Sequence, residues 1–428
     1  MNLAVLFASP LAHNRNFRLL FSAQVISLTG SGVTTVGLAL FAYQLAGGNS
    51  AAVIGNALML RILAFLLFSQ PAGVLADRLN RKHMLILADL VRFGLLALFP
   101  FVQSVWQIYV MIFLINAATA FFTPVYDSTI PEVAGHEHYV KALSLSRLAV
   151  DLEAMLAPAL AGLLVAFLGL QWLFWFDAAT YLVSATLVSA SALQHTPKPA
   201  TRFSLGAFLR EMGFGARVLL RQAPLRRALM FSLVEATAGA AAIVATVIYV
   251  RETLMFGETA FVLVMAALGL GSTITALFLG GATGRYESRV NNRAELHGLR
   301  HRWTERSLFL GGIVLGLLLL PGVLRPPLLI FALLWFLNGA GQALIAISSS
   351  TLLAEHTTEA ERGRVYAAHF ALTHAFWLIT YPAIGHGTSG FGAPLTLTVA
   401  GVVCLLLSVA VFLSRKSMPD HVHNSRNI

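Results

Sequence analysis

The chain has 428 residues, of which 57% are hydrophobic and only 11% charged. A soluble domain carries about 25% charged residues, so this composition, with a mean hydropathy of +0.76, excludes an ordinary soluble fold and makes lipid the main solvent. The formal net charge of +10 would suit nucleic acid, but the cations gather in particular loops, which excludes that partner.

The opening "MNLAVLFASPLAHNRNF" has an apolar patch with no basic residue before it. It lacks the order of a signal peptide and is expected to be a short cytoplasmic lead-in. A spanning helix needs about 20 largely apolar residues. Twelve such stretches fall near 17–44, 52–76, 83–103, 106–127, 141–168, 171–193, 228–250, 259–281, 305–321, 327–349, 363–385 and 393–414. Runs this long must satisfy their backbone internally, which helices do; the alternation of a β-barrel is missing.

Between spans six and seven lies "LQHTPKPATRFSLGAFLREMGFGARVLLRQAPLRR". Its Pro-rich start leads into an amphipathic pattern, with Phe208, Leu209, Met212, Phe214, Val218 and Leu219 set against Arg210, Arg217 and Arg221. That predicts a helix lying at the membrane surface. The expected organisation is a six-helix half over 1–193, a cytoplasmic linker over 194–227, a second six-helix half over 228–414 and a cytoplasmic tail over 415–428.

Of the 29 Lys and Arg residues, Arg251 and Arg325 fall in loops on one side, Arg61, Arg92 and Arg147 fall within spans, and the rest lie in or beside loops on the other side. The positive-inside rule makes that other side cytoplasmic, with both termini there. A multi-pass protein of a bacterial-type inner membrane is expected. The Arg-rich loop at 285–306 then reads as topology, with contact to anionic membrane lipids. Cys404 is the single cysteine, so no intrachain disulfide forms.

Span four, "FLINAATAFFTPVYDSTIPE", is similar to span ten, "WFLNGAGQALIAISSSTLLAE". Asn116 and Asn338, Ser128 and Ser350, and Thr129 and Thr351 pair at one common offset. This suggests duplication, and parallel six-helix halves place a substrate site between them near the bilayer midplane.

Several polar residues fall inside spans, where charge is costly and marks candidate functional positions. Asp89 and Arg92 are spaced for a local pair, as are Arg147 and Asp151. Glu153 faces elsewhere and needs another partner. Arg61, halfway along span two, has no local acid; it could pair with Glu153 or Asp151, or meet an anionic substrate. Asp177 in "LFWFDAATYL" and Glu235 in "FSLVEATAG" have no neighbouring cation in sequence. Removal from water favours the neutral form of a carboxyl group, as a proton carrier requires, so these two are the preferred proton-coupling residues. His369 and His374 in "HFALTHAF" are five apart and do not share one face. One of them could line a path, and they are candidate metal ligands, although their spacing does not favour both binding one ion. They form no histidine-box cluster and no nucleophile–base constellation, so no enzyme and no cofactor is expected.

"GVLADRLNRKHM", between spans two and three, resembles the major facilitator superfamily signature G-x-L-A-D-R-x-G-R-[RK]. Gly73, Leu75, Ala76, Asp77, Arg78, Arg81 and Lys82 match, while Asn80 replaces the usual glycine, a mild change because Asn tolerates a left-handed backbone. The resemblance covers the whole chain. It implies an all-α polytopic fold of twelve transmembrane helices in two six-helix halves, working by alternating access, and a monomer. It also implies that Asp77, Arg78, Arg81 and Asp127 latch the cytoplasmic side; plain topogenic charge is the alternative. In the second half, "GGATGRYESR" keeps Arg285 but has Gly284 in place of the acid. Span five, "LEAMLAPALAGLL", loosely resembles the family's antiporter motif. Pro158 would bend it, and Ala157, Ala159, Ala161 and Gly162 offer a small-residue face for close packing against Gly269 and Gly271 of span eight. The basic residue that many drug exporters carry in span four is missing, and Asn116 lies there instead.

The chain resembles the branch of macrolide and siderophore exporters and nickel-resistance permeases, and the stretches "NFRLLFSAQVISLTGSGV", "SQPAGVLADRLNRK", "STIPEVAGHEHYVKALSLSRLAVDLEA" and "WFDAATYL" are most similar to its nickel-resistance members. This implies a proton-coupled exporter of a small molecule or metal ion. Nickel suits imidazole and carboxylate, which Asp177, Glu235, His369 and His374 supply, although the tail "SRKSMPDHVHNSRNI" holds only His421 and His423. The alternative substrate is an amphipathic drug-like compound or siderophore, lined by aromatics such as Phe174, Trp175, Trp335 and Trp377.

Overall fold

The computed structural model describes residues 13–135, 142, 145, 146, 149, 153, 157, 160–165, 167–193, 205–287 and 293–414. The described elements are helices. The first bundle holds α1 (Arg15–Ala46), α2 (Ser50–Arg78), α3 (Arg81–Leu98), α4 (Val105–Ala134), helical positions of span five, and α5 (Gln171–Ser189). A connecting helix α6 (Leu205–Arg221) follows. The second bundle holds α7 (Ala223–Ala240), α8 (Glu258–Glu287), α9 (Arg293–Leu319), α10 (Leu328–Glu355), α11 (Glu359–Phe391) and α12 (Ala393–Ser414).

By length and composition, eight stretches among the described residues can cross a membrane, and one of these, Arg15–Ser69, runs through α1 into α2. Helices α5 and α11 are not among the eight. Both carry the polar residues that matter below, which lowers their hydropathy. Large apolar side chains such as Phe167, Phe278 and Leu329 are exposed, as a lipid-facing surface requires.

Local chemistry sets the helix ends. The Asn14 side chain caps α1 by accepting from the Phe17 amide, 3.1 Å. Thr358 and Glu361 form a capping box at the start of α11. Asn80, the departure in the signature, has extended backbone (φ −66°, ψ 110°), and its side chain accepts from the His83 amide, 3.3 Å. The expected left-handed tolerance is therefore not what Asn supplies here; it is the N-cap of α3, a position that favours Asn for its side-chain oxygen.

Lipid offers little hydrophobic drive between helices, so small residues and hydrogen bonds must hold them. A Cβ at Gly271 of α8 would overlap the Phe336 carbonyl of α10, and one at Gly339 of α10 would overlap the Leu268 carbonyl of α8. These reciprocal glycines lock α8 to α10. Gly162 of span five packs on Val262 of α8, joining the two bundles there. Helices α2 and α11 form the other main seam. Beyond Ala240, α7 continues through a π-helical turn, Ala241–Ala245, and ends in another, Tyr249–Thr253.

Candidate functional site

Call the face bearing Arg81 and Lys82 the basic face and the opposite one the far face. The described hydrogen bonds between the bundles gather towards the far face. The Ala52 amide donates to Ser389 Oγ, 3.1 Å, His386 Nε2 meets Asn56 Oδ1, 3.2 Å, and Gln44 donates to Glu258, 3.4 Å. The Arg251 guanidinium lies over the Tyr43 ring, 5.1 Å from its centroid. Gly55 and Gly385 let α2 and α11 meet at backbone distance.

Deeper than this seam, a cavity of about 460 Å³ lies between the bundles, within the size range of drug-sized ligand pockets. Arg61 of α2, Glu153 of span five and His374 of α11 supply its charge and proton chemistry, while Phe65, Phe261, Phe370, Trp377 and Tyr381 supply aromatic surface. The first π-helical turn of α7 adds Ile243. The Glu153 carboxylate rests against Gly32 of α1, where any side chain would displace it. Phe65 and Phe370 approach across the bundles with centroids 6.0 Å apart. Phe370 and His374 lie with ring centroids 3.7 Å apart, and Trp377 and Tyr381 4.9 Å apart, both pairs tilted. The His374 Nδ1 lies 2.8 Å from the Phe370 carbonyl. A carbonyl only accepts, so Nδ1 carries the hydrogen and Nε2 is left as the ring's acceptor.

Other expected site residues lie elsewhere. Asp177 is buried behind α1, where Thr34 donates to its Oδ2, 2.6 Å, and Thr180 to its Oδ1, 3.3 Å. Asp89 and Arg92 form the expected local pair, both buried. Ser184 donates to Asp89, 2.7 Å, and the Arg92 guanidinium sits between the rings of Phe122 and Tyr181 at 4.4 and 4.2 Å. Glu235 is half-buried in α7 and is not part of the cavity lining. Asn116 donates back to the Ile112 carbonyl, 2.8 Å. Asn338 is buried and accepts from Gln342, 2.7 Å. His369 lies off the cavity wall that His374 joins; among the described residues, no cluster of three or more metal-binding side chains occurs. Of the four aromatics expected to line a path, Trp377 does so. Phe174 is buried against Phe99 and Phe41, Trp335 donates to Thr246, 2.9 Å, and Trp175 is exposed.

On the basic face, buried Arg81 donates to the Ser128 carbonyl of α4, 3.0 Å, while the neighbouring Asp127 is exposed. The side chains of Asp77 and Arg78 and the surroundings of Gly73 lie outside the described residues, as do Asp151 and Pro158. The residues that sequence reasoning did not single out are Phe65, Phe261, Phe370 and Tyr381. A signal was available for two of them, since Phe370 and Tyr381 lie in the same span as His374 and Trp377.

Two helical bundles enclosing a solute-sized cavity at their seam, with one end of the seam shut, define a membrane transporter. The chain belongs to the Major Facilitator Superfamily, whose sequence model matches residues 20–297 and 298–427. The enterobactin exporter EntS of Shigella boydii is 25% identical over 447 aligned residues, covering 98% of this chain and 97% of that protein. Macrolide efflux protein A of Streptococcus pyogenes is 28% identical over 210 residues, 47% of this chain and 51% of that protein. The fold is also that of a bacterial homologue of the human lysosomal transporter Spinster, solved in an inward-facing, unoccupied conformation. The TM-score is 0.71 at 11% identity, covering 94% of this chain and 97% of that one.

Proposed function

We propose that this transporter exports an amphipathic organic compound from the cytoplasm in exchange for protons, by rocking its two halves about the central cavity. The observation that carries this reading is the cavity wall itself: five aromatic side chains with one guanidinium, one carboxyl and one imidazole. Such a wall matches a partly apolar solute better than a bare ion. The similarity to macrolide and enterobactin exporters supports the same class. Nickel export would require several imidazole and carboxylate donors converging on one point; the wall offers one of each, His374 and Glu153, while Asp177, Glu235 and His369 are not on it, and no cluster of three such groups occurs among the described residues.

In this reading the basic face is cytoplasmic, and the structure is the state closed to the outside. Glu153 carries the proton in the cavity, and Asp177 is a second protonatable site behind α1. Asp77, Arg78, Arg81 and Asp127 form the latch that closes the cytoplasmic side in the opposite state. Pro158 and Gly162 shape span five for its seam with α8. Residues 1–193 and 228–414 are the moving halves, with the linker 194–227 between them.

The test compares cells producing this chain with cells producing Glu153→Gln, at equal membrane abundance, for retention of an aromatic amphipathic dye and for nickel content. Lower dye retention in the wild type with unchanged nickel supports the reading. Lower nickel with unchanged dye would replace it with metal export.

A further inference from the structure

Among the described residues, two intramembrane arginines of the first bundle are treated very differently. Arg92 is buried and fully engaged: it pairs with Asp89, donates to the Ala88 carbonyl at 3.3 Å and is held between two rings. Its role is to hold α3, α4 and α5 together. Arg61 is exposed to the cavity, forms no ion pair among the described residues, and has one long hydrogen bond, 3.5 Å to Thr35 Oγ1. A guanidinium stays charged under all ordinary conditions, and an intramembrane charge without a partner is expensive. Glu153 and His374 line the same cavity and feel the Arg61 charge, yet Glu153 makes no direct pair with it. A site that holds a permanent cation beside an aromatic wall, with its hydrogen-bond donors uncommitted, is built to receive an anion.

Resting on the export reading above, we propose that the substrate is an amphipathic organic anion. Its acidic group takes the donors of Arg61, its ring system lies against Phe65, Phe370 and Trp377, and a substrate hydroxyl donates to His374 Nε2. Glu153 lines the same wall without pairing to Arg61, so the incoming anion meets a guanidinium whose donors are free and a nearby carboxylate that opposes it.

The experiment uses the full chain in proteoliposomes and three probes with one fluorophore: dansylglycine (a carboxylate), dansylglycinamide (neutral) and dansylethylenediamine (a cation). Uptake is read against protein-free liposomes. The carboxylate is expected to enter about tenfold faster than the other two, as one charge-assisted hydrogen-bonded pair allows. Arg61→Gln removes that preference, and Arg61→Lys keeps part of it, having charge without the planar fork. Equal or faster uptake of the amide or amine, or an Arg61→Gln protein that still prefers the carboxylate, overturns the anion assignment while leaving organic export standing. Uptake of none of the three overturns the export reading and the anion assignment with it. Glu153→Gln gives a check that leaves Arg61 in place and does not depend on transport: half-saturation of dansylglycine binding to the purified protein, read by its fluorescence, falls because the opposing carboxylate is gone, and an unchanged value contradicts that opposition.

Discussion

Replacing Gly385 with Val is expected to open the far face. An ideal Cβ at this position would lie 2.6 Å from the Ala51 carbonyl oxygen and 3.2 Å from the Gly55 Cα. Both obstacles are backbone, so neither can swing away as a side-chain tip would. Overpacking of this kind costs about 1–3 kcal/mol. Relieving the clash by separating α2 from α11 would instead lose the Ala52–Ser389 and Asn56–His386 hydrogen bonds, each worth about 1 kcal/mol, so either route costs a similar amount. A penalty of about 2 kcal/mol falls only on the state closed at the far face, and shifts the balance between states roughly thirtyfold. Cysteine labelling reads this directly. Ala39→Cys, a buried position on the wall of the cavity behind the seam, in a background where buried Cys404 is replaced by Ala, should react slowly with a membrane-impermeant maleimide applied from outside. Adding Gly385→Val should raise the rate at least tenfold and abolish transport. Unchanged labelling with transport lost would mean that the glycine contact serves stability alone and that the seam is not a gate.

Three further outcomes follow from the same geometry. Asp89→Ala leaves Arg92 buried without its carboxylate and should destabilise the first bundle by about 3–5 kcal/mol; thermal unfolding in detergent should show it, while Asp89→Ala with Arg92→Leu recovers much of the loss. Asp177→Asn should abolish proton-driven export with membrane abundance unchanged, and Thr34→Val, which removes a 2.6 Å hydrogen bond to that carboxyl, should shift the pH profile of transport without abolishing it. Phe214→Ala should slow turnover without changing substrate affinity. Phe214 holds Arg364 of α11 at 4.0 Å, and neighbouring Gly215 packs on the same helix, so the linker helix steadies the helix that carries His374 and Trp377.

The fold was legible because apolar runs, loop charge and the signature between spans two and three are all properties of sequence position. The candidate site was legible in part. Arg61, Glu153, His374 and Trp377 announce themselves by chemistry, being polar or aromatic groups at membrane depth. Which wall they face is not written in the pattern. A helix with lipid on one side and an apolar neighbour on the other is hydrophobic all round, so its amphipathic stripe is weak. That is why the sequence favours Asp177, sequestered by Thr34 and Thr180, as the proton-coupling residue over Glu153, which faces the cavity. Trp175 and Trp335 also read as candidates equal to Trp377, although one is exposed and the other is hydrogen-bonded in the second bundle's core. The Asn80 departure misled for a different reason: Asn serves two backbone roles, and only the 3.3 Å bond from the His83 amide shows which applies. The amphipathic pattern of the connecting stretch predicts a helix, and Leu205–Arg221 is helical; its docking on α11 through Gly215 is not legible, since a glycine in an amphipathic helix carries no sign of what approaches it.

The most direct measurement of the central claim uses inside-out membrane vesicles, an aromatic amphipathic fluorophore and an imposed acid lumen. Wild-type vesicles should accumulate the fluorophore, release it when the gradient is collapsed, and lose the effect with Glu153→Gln or Trp377→Ala. Accumulation that ignores the gradient, or that both variants sustain at the wild-type rate, would contradict a proton-exchanging export site in the cavity between the halves.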